Sequence, residues 1–167
     1  MSDEKANEPV KMLITPVRCE YQYTPGTATQ KFLRNVEQGK LIGQSCGECG
    51  KVYIPPRGAC PRCGVPTSKD AEIGNKGTVI TYSVIRVPSQ NIQVDLPYVA
   101  ASILLDGADI SITALLQECD NDDVRIGMRV EAVWKPESEW TPSMTNIKHF
   151  RPLDEPDVPF DEIKEYS

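Results

Sequence analysis

Cys46-Gly47-Glu48-Cys49-Gly50-Lys51 and Cys60-Pro61-Arg62-Cys63-Gly64 are the stretches on which the fold of this chain turns. Two C-x-x-C pairs, each followed by glycine, are the pattern of zinc knuckles. Two intervening residues let the chain wrap, so that both sulfurs of a pair face one metal ion. Gly50 and Gly64 remove the Cβ where the chain turns most tightly. Ten residues separate Cys49 from Cys60, a short gap that suits a compact zinc ribbon better than an iron site. Four thiolates close a tetrahedral zinc site and leave no position for substrate. Disulfides need an oxidising compartment. The polar, acidic N-terminus Met1-Ser2-Asp3-Glu4 reads as neither a signal nor a transit peptide, so a cytoplasmic location is expected.

The chain has 167 residues, enough for one ordinary domain and a small one. No run of about 20 apolar residues is present, so no membrane span is expected. The formal net charge is −6, and four thiolates with one Zn²⁺ bring it to about −8. Nucleic-acid affinity rests on Lys and Arg neutralising phosphates, so a nucleic-acid partner is not expected. Lys40, Lys51, Arg57, Arg62 and Lys69 gather near the cysteines in sequence. They read as local balance for an acidic metal site, or as a small anion-binding surface.

Residues 1–28 hold no helical or strand period and are interrupted by Pro9, Pro16 and Pro25. Their apolar bursts are too frequent for a solvated tail, so an extended arm is expected. Thr27 or Thr29 can cap a helix over Gln30–Gln38, with Gly39 ending it and Phe32, Leu33 and Val36 on one face. So short a helix must dock on something. Val52–Ile54 reads as a ribbon strand. Beyond Asn75 the chain turns β-branched. Strands are expected at 77–87, Tyr98–Leu105, Asp109–Leu116, Arg129–Lys135 and Asn146–Phe150, with a hairpin turn at Asp106-Gly107. Five strands in so short a stretch indicate a small barrel of the OB type. The expected fold is mainly β: an arm and docking helix (1–40), a rubredoxin-like zinc ribbon (41–72), a five-stranded OB-fold (73–152) and an acidic tail (153–167).

No catalytic set emerges. His149 is the single histidine, and no Ser/His/Asp or Cys/His constellation can be completed around it. No P-loop or dinucleotide fingerprint occurs. Cys119 lies among Glu118, Asp120, Asp122 and Asp123, whose charges raise a thiol pKa. The same acidic run lacks the glycine and distal glutamate of a calcium loop and reads as a solvated turn. Cys19, alone in the arm, reads as a small buried hydrophobe.

The order of parts resembles one family, the rubredoxin-like zinc ribbon joined to an OB-fold that accompanies thiolases and other acyl-CoA enzymes. The matching residues are Cys46, Cys49, Pro55, Pro56, Arg57, Cys60, Cys63, Gly77, Thr78 and Val79. Pro97-Tyr98-Val99, Ile126-Gly127-Met128-Arg129-Val130 and Phe150-Arg151-Pro152 fit as well. The resemblance covers roughly 29–152. Departures are the long segment Trp134–Thr145 and the long arm 1–28. The resemblance implies structural Zn²⁺ on Cys46, Cys49, Cys60 and Cys63, and a non-catalytic accessory subunit in a hetero-oligomer with a thiolase-type catalytic subunit. Aldolases of the lipid-transfer-protein type and hydratases are further partners in the family. One of its complexes is a two-subunit thiolase of aromatic degradation. CoA or acyl-CoA binding in the complex is implied too. The alternative readings are a nucleic-acid-binding zinc-ribbon/OB-fold protein and a stand-alone acyl-CoA-binding protein, for which Arg57 and Arg62, or Arg86 and Arg129, are candidate cations.

Overall fold

The computed structural model describes residues 12, 15, 19–88 and 94–166. Most of the arm expected at 1–28, including Val10, Leu13, Ile14 and Val17, lies outside the described residues.

The helix α1 spans Thr27–Val36, three residues ahead of the expected start. Thr27 is its first residue rather than its cap. Gly26 takes the cap position in an extended conformation with no side-chain hydrogen bond, so Pro25-Gly26 sets the boundary. Gly39 does end the helix, at φ 71°. The ring of Trp140 lies over it, and a Cβ there would sit 2.6 Å from the ring. Glycine is required on both counts.

Three strands follow in the order β2-β1-β3: β1 (Leu41–Cys46), β2 (Val52–Tyr53) and β3 (Thr67–Ile73). Two of them go beyond what the sequence suggests. In β1 the buried set includes Gly43 and Gln44, which breaks the apolar alternation and leaves 41–45 looking like a lead-in to the first knuckle. In β3 four polar residues, Ser68, Lys69, Asp70 and Glu72, conceal a strand whose ends alone, Thr67 and Ile73, are buried.

The rest is a closed barrel ordered β4-β5-β6-β8-β7. Its strands are β4 (Lys76–Ile85), β5 (Tyr98–Leu105), β6 (Ser111–Leu116), β7 (Arg129–Trp134) and β8 (Ile147–Pro152). Five strands in this size form the expected OB-fold. β6 and β8 run parallel and meet at one pair, Leu116 with Phe150. The third strand begins two residues late, because Asp109 is held by the ribbon. Its carboxylate accepts from the Val52 N–H at 2.7 Å and from Lys51 Nζ at 2.8 Å. The fifth begins one residue late because Asn146 is used elsewhere. Its Nδ2 donates to the Val36 and Thr141 carbonyls at 3.2 and 2.7 Å.

One continuous core runs through helix, ribbon base and barrel. Phe32, Val36, Leu41, Ile54 and Ile73 share it with Val79, Val99, Ile103, Leu105, Val130 and Phe150. The docking helix therefore docks on its own chain. The long segment after β7 completes that seat, with Trp134 and Trp140 rings 5.5 Å apart. The acidic C-terminal residues do not project as a free tail. Leu153 and Val158 donate main-chain hydrogen bonds to Arg129 and Gly127. Glu155 pairs with Lys76 and Arg129, Asp157 with Arg125, and Ile163 is buried. Among the described residues no helix is long and apolar enough to cross a membrane.

Candidate metal centre

The two knuckles are built alike from main-chain bonds. Gly50 N–H donates to the Cys46 carbonyl at 3.0 Å, and Gly64 N–H to the Cys60 carbonyl at 2.8 Å. Both glycines have φ 72°, in the left-handed region that favours glycine. Cys46 N–H donates to Lys51 O and Cys60 N–H to Val65 O, closing each loop behind its sulfurs. β1 carries the first knuckle in, β2 bridges to the second, and β3 leads out.

This geometry brings Cys46, Cys49, Cys60 and Cys63 together, all four sulfurs within 4.8 Å of one another. Cys49 and Cys60 Sγ lie 3.7 Å apart. A tetrahedron with Zn–S bonds of about 2.3 Å has edges of about 3.8 Å, so the spacing fits. No disulfide joins them. Cys46 and Cys60 are buried, Cys49 is half-buried and Cys63 exposed. The four cysteines expected as ligands are thus positioned to bind a zinc ion.

The electrostatics point the same way. A hydrogen bond from Tyr53 holds the Cys60 thiol down, at about 6. The neighbouring sulfurs, Cys49 first, push Cys63 up to about 12. Four thiolates so close cannot all be charged without a cation among them. A divalent ion supplies that charge and leaves every sulfur ionised. Tyr53, which no sequence pattern singles out, sits under the centre. It is 5% exposed and its hydroxyl lies 3.3 Å from Cys60 Sγ. Its own hydroxyl is pushed up to about 12, by the Cys60 bond first and burial second. A tyrosine three residues beyond a knuckle glycine carries no local signal of such a contact.

Other singled-out residues fall away from the centre. Lys51 is turned to Asp109 rather than to sulfur, while Arg57, Arg62 and Lys69 are exposed. Arg129 is bonded to Asp106, Glu155 and the Thr78 hydroxyl. His149 is buried on β8, its Nε2 2.7 Å from Glu118 Oε1. That contact is the first cause holding the Glu118 carboxyl below its usual range. The Cys119 thiol is raised, by burial first and then by Asp123 and Asp120. Cys19 is exposed, not buried.

The sequence profile of the ChsH2 rubredoxin-like zinc ribbon domain matches residues 36–67, and that of the ChsH2 C-terminal OB-fold domain matches 70–135. A DUF35 domain-containing scaffold protein of Methanocaldococcus jannaschii is 43% identical over 97 residues, 57% of this chain and 67% of that relative. One of Methanothermobacter thermautotrophicus is 34% identical over 112 residues, 65% of this chain and 83% of that relative. Among solved structures, a chain of the Ltp2-ChsH2(DUF35) aldolase superposes with a TM-score of 0.59 at 25% identity. That match covers 78% of this chain and 98% of the other. A DUF35 protein of unknown function from Sulfolobus solfataricus, 20% identical with a TM-score of 0.57, shares the fold over 76% of this chain and 84% of its own.

Proposed function

This chain belongs to the DUF35 family of scaffold proteins with a zinc ribbon and an OB-fold, and from that premise we propose that it is the non-catalytic, zinc-binding accessory subunit of a thiolase-type acyl-CoA enzyme. The catalytic subunit supplies the cysteine that exchanges acyl groups with CoA. This chain supports assembly and the acyl-CoA site for CoA-dependent C–C cleavage or formation. Zn²⁺ on Cys46, Cys49, Cys60 and Cys63 holds the ribbon tip rigid and takes no part in bond making.

The main support for this reading is a pairing. A closed four-sulfur centre occurs together with a likeness to nearly the whole of a chain from the Ltp2-ChsH2(DUF35) aldolase. Metal sites of that kind leave no open coordination position for a substrate, so the metal itself takes no part in the chemistry. The residues ahead of α1 support a hetero-complex. Met12, Tyr21 and Tyr23 are 75%, 76% and 70% exposed. A partner surface laid along this stretch would cover these side chains. The exposed Arg57 and Arg62 in the ribbon, or the exposed Arg86 just beyond β4, offer cations to CoA phosphates.

The test is co-production of the full chain with a thiolase-type catalytic subunit, followed by an assay of CoA-dependent acyl cleavage. The complex is expected to be active and this chain alone inactive. A chain that stays monomeric beside every such subunit and binds single-stranded nucleic acid tightly would replace this reading with a nucleic-acid one.

A further inference from the structure

We propose that Tyr53 is a positioning residue of the metal centre: its hydroxyl donates a hydrogen bond to the Cys60 thiolate, and the barrel holds that donor in place. The two atoms are 3.3 Å apart. A metal-bound thiolate has no proton to give, so the tyrosine hydroxyl must be the donor. Burial makes the contact consequential. Tyr53 is 5% exposed and Cys60 1% exposed, and the two form one buried cluster with Cys46. Without Cys60 the hydroxyl would be a buried polar group with no partner, which carries a penalty.

The knuckles match in their main-chain bonds, but the contact of this hydroxyl is to a sulfur of the second, Cys60. Hydrogen bonds to a thiolate draw off negative charge, orient the sulfur and lower its nucleophilicity, and such outer partners tune metal affinity.

The donor is set by the barrel. Tyr53 pairs with Gln44 in the ribbon sheet. Its neighbour Val52 is bonded twice to the loop ahead of β6. The Val52 N–H goes to the Asp109 carboxylate and the Asp109 N–H to the Val52 carbonyl, at 2.7 and 2.9 Å. Ile110 of the same loop packs on the Cys46–Tyr53–Cys60 cluster. Barrel loop, Val52, Tyr53 and Cys60 form one connected path to the metal. The consequence is a second knuckle whose hold on zinc depends on a residue that never touches the ion.

The test uses the full chain loaded with zinc, and needs no partner subunit, so its failure is separate from that of the scaffold reading. Tyr53→Phe keeps the ring and removes the donor. Zinc transfer to a chromophoric chelator is expected to speed up about tenfold. In the cobalt-loaded protein the sulfur-to-metal charge-transfer band is expected to shift. Placing p-aminophenylalanine at position 53 restores an N–H donor and should return both readouts toward the natural chain. Asp109→Ala should accelerate release in the same direction by less. Release within about twofold of the natural chain, with an unchanged cobalt spectrum, would overturn the proposal. So would faster release with an unchanged spectrum and no rescue, which marks packing alone. If Tyr53→Phe holds no zinc at all, the p-aminophenylalanine chain decides. Near-natural retention supports the donor role, and equal loss ends it.

Discussion

The ribbon tip and the barrel are held by different physics. The barrel closes over a packed interior in which Val79, Val99, Ile103, Val130 and Phe150 are fully buried. Burial of such side chains contributes about 1.5–3 kcal/mol each. The tip has Cys46, Tyr53 and Cys60 as its buried set, with Cys49, Val65 and Ile110 against them. Two of those three belong to the metal centre, so the tip's core is its metal site. Between the regions lies the ribbon base, where Leu41, Ile54 and Ile73 belong to the barrel's core. It follows that metal binding folds only the last part of the ribbon, while apolar packing folds the rest.

Cys60→Ser separates the two regions most sharply. Structural zinc sites carry apparent binding energies of about 10–16 kcal/mol that are also folding energy. Zinc should be lost and amide protection in the two knuckles, 46–50 and 60–65, abolished, while β5 amides exchange as before. Elemental analysis with hydrogen exchange reads both. Loss of protection in β5 as well would mean that the two regions fold as one.

Phe150→Ala is the reverse experiment. The side chain is fully buried, and large-to-small changes of this kind cost about 3–5 kcal/mol. Urea unfolding should show that loss for the barrel, with zinc content unchanged in the folded protein. Asn146→Ala probes the boundary between helix and barrel. Asn146 is 1% exposed and ties Val36 to Thr141. Removing it should cost about 1–3 kcal/mol, because the hydrogen bonds of this buried amide to Val36 and Thr141 are lost. Helix amides of 27–36 should lose protection first.

The smallest effect is electrostatic. The Arg129 guanidinium holds the Asp106 carboxyl below its usual range, against a smaller opposing effect of burial. A depressed carboxylate contributes stability above its unfolded pKa, about 4, and loses it as pH falls through the folded value. Asp106→Asn should lower stability modestly at neutral pH and flatten the decline below about pH 4. Chemical unfolding across a range of about pH 2–7 checks the sign.

What is legible in the sequence follows the same division. Knuckle spacing picks out the four sulfurs that the fold brings together, since two C-x-x-C pairs have few other uses. The bounds of β5 can be read because a continuous apolar run ends at the Asp106-Gly107 turn. β3 escapes because it carries four polar residues between two buried ends. α1 begins early because Gly26, not a threonine, sets its start. The path of residues 153–166 along the barrel is hidden in ion pairs and main-chain bonds, which leave no apolar period to read. Asp109 at β2 depends on a contact between distant segments, and Tyr53 on how the ribbon folds back over seven residues to Cys60, neither of which a local pattern encodes.

Under the proposed function, residues ahead of α1 grip the partner enzyme. The most direct measurement is co-purification of the thiolase-type subunit with the full chain and with a chain lacking residues 1–24, which leaves α1 and its core contacts intact. The shortened chain should keep one zinc and a folded barrel but lose its stoichiometric partner. Full-stoichiometry co-purification with the shortened chain would contradict this.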